Sequence, residues 1–441
     1  MPSWWCENAW LPPGRVAARV LITVDDGRVT EVKEGIDPPP TAQRLTGLVI
    51  PGLANTHSHA FHRALRGRTQ AGRGDFWTWR EQMYAVATRL DPDNYLALAR
   101  VTYTEMALAG ITCVGEFHYV HHQSGGVPYS DPNAMGAALI EGAAQVGVRL
   151  TLLDACYVAG GIGESLTPPQ RRFSDGDAVA WAARVDELSD AAHVRIGAAI
   201  HSVRAVPSDQ LGDVADWARK RAVPFHFHLS EQRAENDACL DRYGVTPTRL
   251  LADSGALGAA AVAVHATHLT AGDIALLASS STGVCLCPTT ERDLGDGIGP
   301  AGALAAAGVA LSVGSDGQSV IDMFEEARGI ELDERLATYS RGTFVAGALL
   351  DATTVAGHRG LGWADAGQLA VGMRGDLVAV DLASRRTAGG GATAETVVYA
   401  ASAADVTDVV VDGNVVVKDR EHVRLGDIGA TLQAAIGAVV R

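Results

Sequence analysis

Lysine is scarce in this chain of 441 residues: among its 36 lysine and arginine residues, only Lys33, Lys220 and Lys418 are lysines. Long apolar runs are also missing, since no stretch reaches the roughly 18 residues that a membrane-spanning helix needs. The first residues show no basic segment followed by an apolar one, which argues against a secretory signal peptide. These absences predict a cytoplasmic protein with no membrane partner.

Paired cysteines are missing as well. The six cysteines are scattered, and no two of them form a C-x2-C pair. This pattern indicates neither a disulfide framework nor a cysteine-based zinc site. Buried free thiols are the expected state.

Positive charge is in deficit, with 51 acidic residues against 36 basic ones and a formal net charge of -15. This balance argues against nucleic acid or an anionic membrane surface as a partner, because phosphate groups would be repelled. The negative net charge would repel a small anionic substrate, so individual arginines would have to bind it.

Both ends of the chain have the pattern of short strands joined by turns. The predicted strands lie at residues 19–24, 29–32, 376–381, 396–399 and 406–417. The first two flank the turn Asp25-Asp26-Gly27, and the last range turns on Asp412-Gly413. We predict one small β-sandwich domain built from residues 1–47 and 366–441.

The middle of the chain, residues 48–365, alternates apolar strands with helical segments. Asp91-Pro92 has the pattern of a helix start and Gly110 that of its end. Eight predicted strands end near His59, Tyr119, Tyr157, Arg204, Glu231, His268, Glu291 and Gln318. Eight β/α repeats predict an α/β fold, a TIM-like (β/α)8 catalytic barrel. A doubly wound open sheet is the alternative, but no glycine-rich phosphate loop follows the first strand.

Histidines and an aspartate fall at the carboxyl ends of four of these strands, where barrel enzymes place catalytic groups. His57 and His59 share one face of their strand, because strand side chains alternate. His228, His265 and Asp316 follow later strands. Three histidines and one aspartate are a suitable ligand set for zinc.

Each of these residues has a structural alternative. His226, on the same face as His228, and also His265 could be hydrogen-bonded core histidines. His268 could begin the following helix, and Asp316 before Gly317 could be a turn residue. Three more histidines after the second strand, at positions 118, 121 and 122, could contact substrate or lie in a solvated loop.

The whole pattern resembles the amidohydrolase superfamily of metal-dependent deaminases and hydrolases, over nearly the full chain and including a return motif at residues 367–378. The resemblance implies an amidohydrolase barrel, a homodimer, and His57, His59, His228 and Asp316 as metal ligands with His265 beside them. Some branches hold two metals bridged by a carboxylated lysine after strand four. Residues 196–204 contain no lysine, so we expect one Zn²⁺ per chain, or another divalent metal.

The segment His228-Leu229-Ser230-Glu231 resembles the deaminase branch, in which that glutamate is the proton shuttle. The resemblance implies that Asp316 takes a proton from the attacking water, that Glu231 protonates the leaving nitrogen, and that His265 polarises the attacked centre. The alternative for Glu231 is a solvated acid at a helix start.

Further stretches resemble deiminases of histidine degradation, which act on N-formimino-L-glutamate. They lie at residues 4–12, 57–64, 76–84, 115–122 and 201–206. The resemblance implies a small dicarboxylate substrate held by Arg204 and Arg80, with Tyr119, His201 and His62 as further contacts. Arg80 could instead be a surface arginine. His62 is a departure, because these deiminases often carry glutamine there; both side chains can donate to a substrate oxygen.

Two other functions remain open. One is a mononuclear deaminase acting on a purine or adenosine-like substrate, which the paired arginines disfavour. The other is a catalytically inactive scaffold relative, which the complete ligand set disfavours.

Overall fold

The computed structural model describes residues 1–71 and 73–440; Gly72 and Arg441, the last residue of the predicted composite domain, lie outside the described residues. Two eight-stranded sheets organise the described chain. The strands are β1 (Ser3–Leu11), β2 (Arg15–Asp25), β3 (Arg28–Lys33), β4 (Gln43–Pro51), β5 (Leu53–Ser58), β6 (Ile111–His118), β7 (Arg149–Cys156), β8 (Val194–Ile200), β9 (Phe225–Leu229), β10 (Ala261–His265), β11 (Gly283–Leu286), β12 (Leu311–Val313), β13 (Leu377–Val380), β14 (Val406–Val411), β15 (Asn414–Lys418) and β16 (Glu421–His422).

The helices surround the sheet formed by β5–β12, and the last helix reaches the C-terminal end of the described chain. They are α1 (Phe76–Ala87), α2 (Pro92–Leu108), α3 (Ala134–Val146), α4 (Ala178–Val185), α5 (Leu211–Arg221), α6 (Arg233–Tyr243), α7 (Pro247–Asp253), α8 (Ala271–Ser280), α9 (Pro288–Leu294), α10 (Ala301–Ala306), α11 (Met323–Thr338), α12 (Ala346–Thr353), α13 (Val355–Gly360), α14 (Ala394–Tyr399) and α15 (Gly429–Val440), with 3₁₀ turns at Ala60–Leu65, Pro169–Phe173 and Ala403–Asp405. Within the described ranges, none of these helices is long and apolar enough to cross a membrane.

The strands β5 to β12 pair in sequence order, each parallel to the next. This arrangement confirms the predicted TIM-like barrel. The ring closes between β12 and β5, where Ser58 forms a bridge with Asp316 and the Asp316 amide donates to the His57 carbonyl at 3.0 Å. A Cβ at Gly314 would lie 2.6 Å from that carbonyl oxygen, so only glycine allows the two strands to approach this closely.

The helix starts follow from local capping. Asp91 accepts from the Asn94 amide in a capping box, with Pro92 in the first turn, as predicted for α2. Gly110 follows this helix with a φ of 90°, in the left-handed region that favours glycine.

The first sheet joins the two ends of the chain in the order β16-β15-β14-β13-β4-β1-β2-β3. The predicted turns are present: β2 pairs with β3, and β14 pairs with β15 through Asp412 and Gly413, both at positive φ. The edge strand β3 also contacts the segment before β13, where the Met373 carbonyl accepts from the Val29 amide. Strand β4 continues past residue 47 and leads directly into β5; the boundary between two domains at that point stays a prediction.

One predicted strand is wrong. Residues 396–399 belong to the short helix α14, which begins where the Thr393 side chain accepts from the Thr396 amide. The run of β-branched residues favours a strand by propensity. Burial of Val397 and Val398 overrides that preference.

Candidate metal centre and active site

Four predicted ligands converge at the carboxyl end of the barrel. The candidate ligand atoms of His57, His59, His228 and Asp316 all lie within 4.8 Å of one another, and all four residues are buried. They come from β5, the residue after it, β9 and the loop after β12. Strands that are distant in sequence therefore deliver one compact group of nitrogen and oxygen donors.

The hydrogen bonds of this group fix which ring nitrogens can bind a metal. Nδ1 of His59 lies 2.8 Å from the Phe117 carbonyl oxygen, and Nδ1 of His228 lies 2.8 Å from that of His201. Because a carbonyl only accepts, both Nδ1 atoms carry the proton, and Nε2 is left with a free lone pair. Burial holds the pKa of both histidines well below the usual value.

These ring nitrogens lie close to one another. Nε2 of His228 lies 3.2 Å from Nε2 of His57, and Asp316 Oδ1 lies 3.2 Å from the same His57 atom. A single N–H at His57 Nε2 can serve only one of these two acceptors, whereas a cation between them would be bound by all three. The donor set therefore fits a divalent metal such as zinc.

His265 lies beside this group, surrounded by acids. Its Nε2 is 3.7 Å from Glu231 and 3.8 Å from Asp316, and its Nδ1 is 3.4 Å from Glu291. Burial lowers the pKa of His265, but the nearby carboxylates outweigh burial and raise it well above the usual value. A charged imidazole here can donate a hydrogen bond to a centre that gains negative charge.

Asp316 has the opposite environment. Burial raises the pKa of its carboxyl group, but the hydrogen bond with His57 and the other imidazoles hold that pKa well below its usual range. Asp316 is therefore an anion in this environment.

Strained backbone marks the same strand ends. Non-glycine residues take left-handed φ values at Ser230, His265, Ala266, Asp316 and Gln318, between 39° and 68°. Such conformations cost about 1–3 kcal/mol each, and they cluster at functional sites because the surrounding structure must hold the side chains in place.

A cavity of about 310 Å³ opens beside the ligand group. All five predicted substrate contacts line it: His62, Arg80, Tyr119, His201 and Arg204. Aromatic side chains form much of the remaining wall, namely Phe76, Trp77, Trp79, Tyr84, Tyr157 and Phe173.

Two of these contacts are joined to each other. His62 Nε2 lies 3.2 Å from the Tyr119 hydroxyl oxygen, and burial lowers the pKa of His62 to about 3. Burial raises the pKa of Tyr119. Both groups are therefore neutral hydrogen-bonding partners.

The two arginines differ in their surroundings. Arg80, on α1, lies over the Trp77 ring at 4.4 Å and is partly exposed. Arg204 is almost buried, and it pairs with Glu231 at 3.1 Å and with Glu235 at 3.0 Å. Sequence reasoning missed Glu235, which lies in the first turn of α6, four residues after Glu231.

The other histidines have structural roles. His226 is buried and lies 3.0 Å from the Gly360 carbonyl oxygen, so it is a core histidine. His118, His121 and His122 are buried, which rules out a solvated loop.

Among the described residues, His118, His121 and Asp154 form a second cluster with metal-like spacing. Arg184 donates to both oxygens of Asp154, at 2.8 and 2.9 Å. The guanidinium already neutralises this carboxylate and would repel a cation, so this cluster does not suit a metal.

Comparison with known proteins agrees with this geometry. The family model described as "Amidohydrolase family" matches residues 48–416. The chain is 36% identical to formimidoylglutamate deiminase of Pseudomonas aeruginosa, covering 96% of each protein. It is 30% identical to 5-methylthioadenosine/S-adenosylhomocysteine deaminase of Natronomonas pharaonis, covering 95% of this chain and 92% of the relative.

A solved structure, an amidohydrolase from Brucella melitensis, superposes with a TM-score of 0.91 at 31% identity and covers both chains completely. The family match spans the barrel together with most of the returning terminal strands. The chain therefore belongs to the amidohydrolase family, among its hydrolases and deaminases that act on C–N bonds.

Proposed function

We propose that this protein hydrolyses N-formimino-L-glutamate to N-formyl-L-glutamate and ammonia, a reaction of histidine degradation. The carrying observation is that Arg204 and Arg80 line the same cavity as the convergent ligand group, in a chain with a net charge of -15. Two arginines in one cavity of a negatively charged protein suit a substrate with two carboxylates. The similarity to the Pseudomonas aeruginosa deiminase supports the same substrate.

His57, His59, His228 and Asp316 would hold one zinc ion per chain, and another divalent metal is the alternative. When bound, the metal would supply an activated water, since zinc lowers the pKa of a water ligand to about 7. Residues 196–204, at the fourth strand of the barrel, contain no lysine that could bridge two metals, which supports a single metal.

The side chains around the cavity account for the proton transfers. Asp316 accepts a proton from the attacking water as the C–O bond forms at the formimino carbon. Glu231 delivers one proton to the terminal imino nitrogen as the C=N bond becomes single. The new hydroxyl group then loses its proton as the formyl carbonyl forms, the nitrogen takes up this second proton, the C–N bond breaks, and ammonia leaves. Transfer of the proton held by Asp316 to Glu231 restores both side chains. His265 donates a hydrogen bond to the attacked centre as negative charge develops there.

The cavity wall supplies the substrate contacts. Arg204 and Arg80 would bind the two carboxylates, and Tyr119, His201 and His62 would donate or accept hydrogen bonds along the chain of the substrate. A homodimer remains a prediction from the family resemblance, and a cytoplasmic location remains a prediction from the sequence.

A second candidate is deamination of a purine or adenosine-like substrate. The aromatic wall of the cavity favours it, because aromatic rings can stack on a heterocycle. The Natronomonas pharaonis relative is a deaminase of this kind.

One assay separates the candidates. Ammonia release is measured from N-formimino-L-glutamate, adenosine, guanine and S-adenosylhomocysteine with the same zinc-loaded enzyme. Turnover of N-formimino-L-glutamate alone is expected. Turnover of a purine instead would replace the proposal with the second candidate, and no turnover of any substrate would favour an inactive scaffold.

A further inference from the structure

Arg204 lies between Glu231, which precedes α6, and Glu235, in the first turn of that helix. Its Nη2 donates to Glu231 Oε2 at 3.1 Å, and its Nε lies 3.0 Å from Glu235 Oε2. The guanidinium is thus shared between the proposed proton shuttle and an acid with no assigned role.

The two glutamates are held very differently. The Glu235 side chain is fully buried, and its Oε1 accepts from the Ser230 amide at 3.0 Å. Both glutamates border the cavity, and Glu231 Oε1 is 3.7 Å from His265 Nε2, too far for a good hydrogen bond. Glu235 is therefore anchored by a backbone amide at Oε1 and forms an ion pair with Arg204 through Oε2, whereas the firm partner of Glu231 is Arg204.

We propose that Glu235 is a positioning residue for Arg204, and that a substrate carboxylate replaces Glu231, but not Glu235, on the guanidinium. This inference rests on the proposed function, because it takes the substrate to be a carboxylate. The substrate carboxylate then has a second role besides binding, because it releases Glu231. When the substrate binds at Arg204, Glu231 loses its partner and is free to approach the leaving nitrogen.

The first test measures binding, so it does not depend on turnover. Glutarate, a dicarboxylate without a formimino group, is titrated calorimetrically into zinc-loaded wild-type enzyme, Glu235→Gln and Asp237→Asn. Glu235→Gln keeps the acceptor for the Ser230 amide but loses its charge beside Arg204. We expect it to weaken glutarate binding about tenfold to a hundredfold, because the guanidinium loses the buried carboxylate that holds it in place.

Asp237→Asn is the matched control, since Asp237 is an exposed acid on the same helix. It should bind glutarate like the wild type, and all three proteins should contain the same amount of zinc. If Glu235→Gln binds glutarate as tightly as Asp237→Asn, the positioning role is wrong.

The second test concerns the exchange at Arg204. N-propylformamidine, which carries the formimino group but no carboxylate, is assayed with and without added propionate. Propionate should raise kcat in a saturable manner, because it occupies Arg204 and frees Glu231. Arg204→Met should show no such activation.

The outcomes separate the two proposals. Absence of propionate activation in an enzyme that turns over N-formimino-L-glutamate overturns the exchange and leaves the proposed function intact. An enzyme that does not act on N-formimino-L-glutamate overturns the proposed function, whereas the glutarate titration still tests the pairing of Glu235 with Arg204.

Discussion

His226 and His228 lie two residues apart on β9 and differ in what their Nε2 atoms contact. Nε2 of His228 faces His57 in the ligand group, whereas Nε2 of His226 lies near the Gly360 carbonyl. We expect His228→Gln to lose both bound metal and activity. His226→Gln retains a donor for the carbonyl and should keep its metal, with a stability loss of about 1 kcal/mol.

Metal analysis by mass spectrometry and thermal unfolding of both variants check this prediction. A His228→Gln protein with a full equivalent of metal would exclude His228 as a ligand.

Arg204 should dominate recognition of the substrate carboxylate. Each hydrogen bond to a charged group contributes roughly 1.5 to 3 kcal/mol, so loss of two in Arg204→Met should lower kcat/KM on the order of 10² to 10⁴ for N-formimino-L-glutamate. Arg219→Met is the control, because Arg219 is exposed on α5 and pairs only with a surface acid. Near-normal kinetics in Arg204→Met would contradict its role in carboxylate binding.

At the residue scale, the sequence predicted side chains whose position depends on strand ends. His57, His228 and Asp316 come together because parallel strands in a barrel all end at one face. Glu235 and Glu291 were not predictable in the same way. Each is an acid near a helix start, and only the packing of that helix against Arg204 or His265 buries it.

Helix α1 covers the cavity and is held by one buried arginine. Arg172 donates to the carbonyl oxygens of Ala87, Leu90 and His122, and its own carbonyl accepts from the His122 amide. We expect Arg172→Met to loosen α1, because three buried carbonyls lose their donor.

Hydrogen exchange measured by mass spectrometry should rise over residues 76–90 in Arg172→Met. Arg171→Met provides the control at the adjacent, exposed position. Unchanged exchange in α1 would show that Arg172 does not hold this helix.

The segment before α4 contributes acid sensitivity. Burial raises the pKa of Asp175, but His122, His121 and Arg184 outweigh burial and hold that pKa well below its usual range. The stabilisation is therefore complete above the unfolded pKa of about 3.8 and is lost as pH falls through the lower folded value.

Asp175→Asn should destabilise the protein by about 1.5–3 kcal/mol at pH 7, and the difference from wild type should shrink below about pH 3.8. Thermal melts across pH check this, with the exposed Asp177→Asn as the control. A difference that stays constant with pH would contradict the role of the Asp175 charge.

At the element scale, hydrophobic pattern and capping residues predicted most strands and the start of α2. The pattern failed at residues 396–399, where four residues are too few to distinguish a strand from a buried helical turn. The helix forms there because Thr393 caps it and the core takes up Val397 and Val398.

The two sheets are joined by a buried ion pair. Arg149, the first residue of β7, donates to both carboxylate oxygens of Asp376, next to β13, and each side chain is only 1% exposed. Arg149→Met leaves Asp376 buried without its partner, so we expect a loss of about 3–5 kcal/mol.

Urea unfolding followed by tryptophan fluorescence and circular dichroism measures this loss. Arg195→Met removes the solvent-exposed pair of Arg195 with Asp190 and should cost less than about 1 kcal/mol. Equal losses in the two variants would show that the buried pair does not join the sheets.

At the scale of the whole molecule, eight repeats and their strand ends predicted the barrel. The way in which the terminal sheet meets it was not predictable, because that contact depends on partners as far apart as Arg149 and Asp376.

The ring of the barrel has one seam, between β12 and β5, and the proposed metal ligands lie on both sides of it. His57 and His59 belong to one edge and Asp316 to the other. A cation bound by both edges would link them across the seam. Because the metal would bind only the closed barrel, its binding free energy would also stabilise that closure. Scarcity of metal would therefore have two effects: the protein would lose turnover, and the contact between β5 and β12 would become less stable.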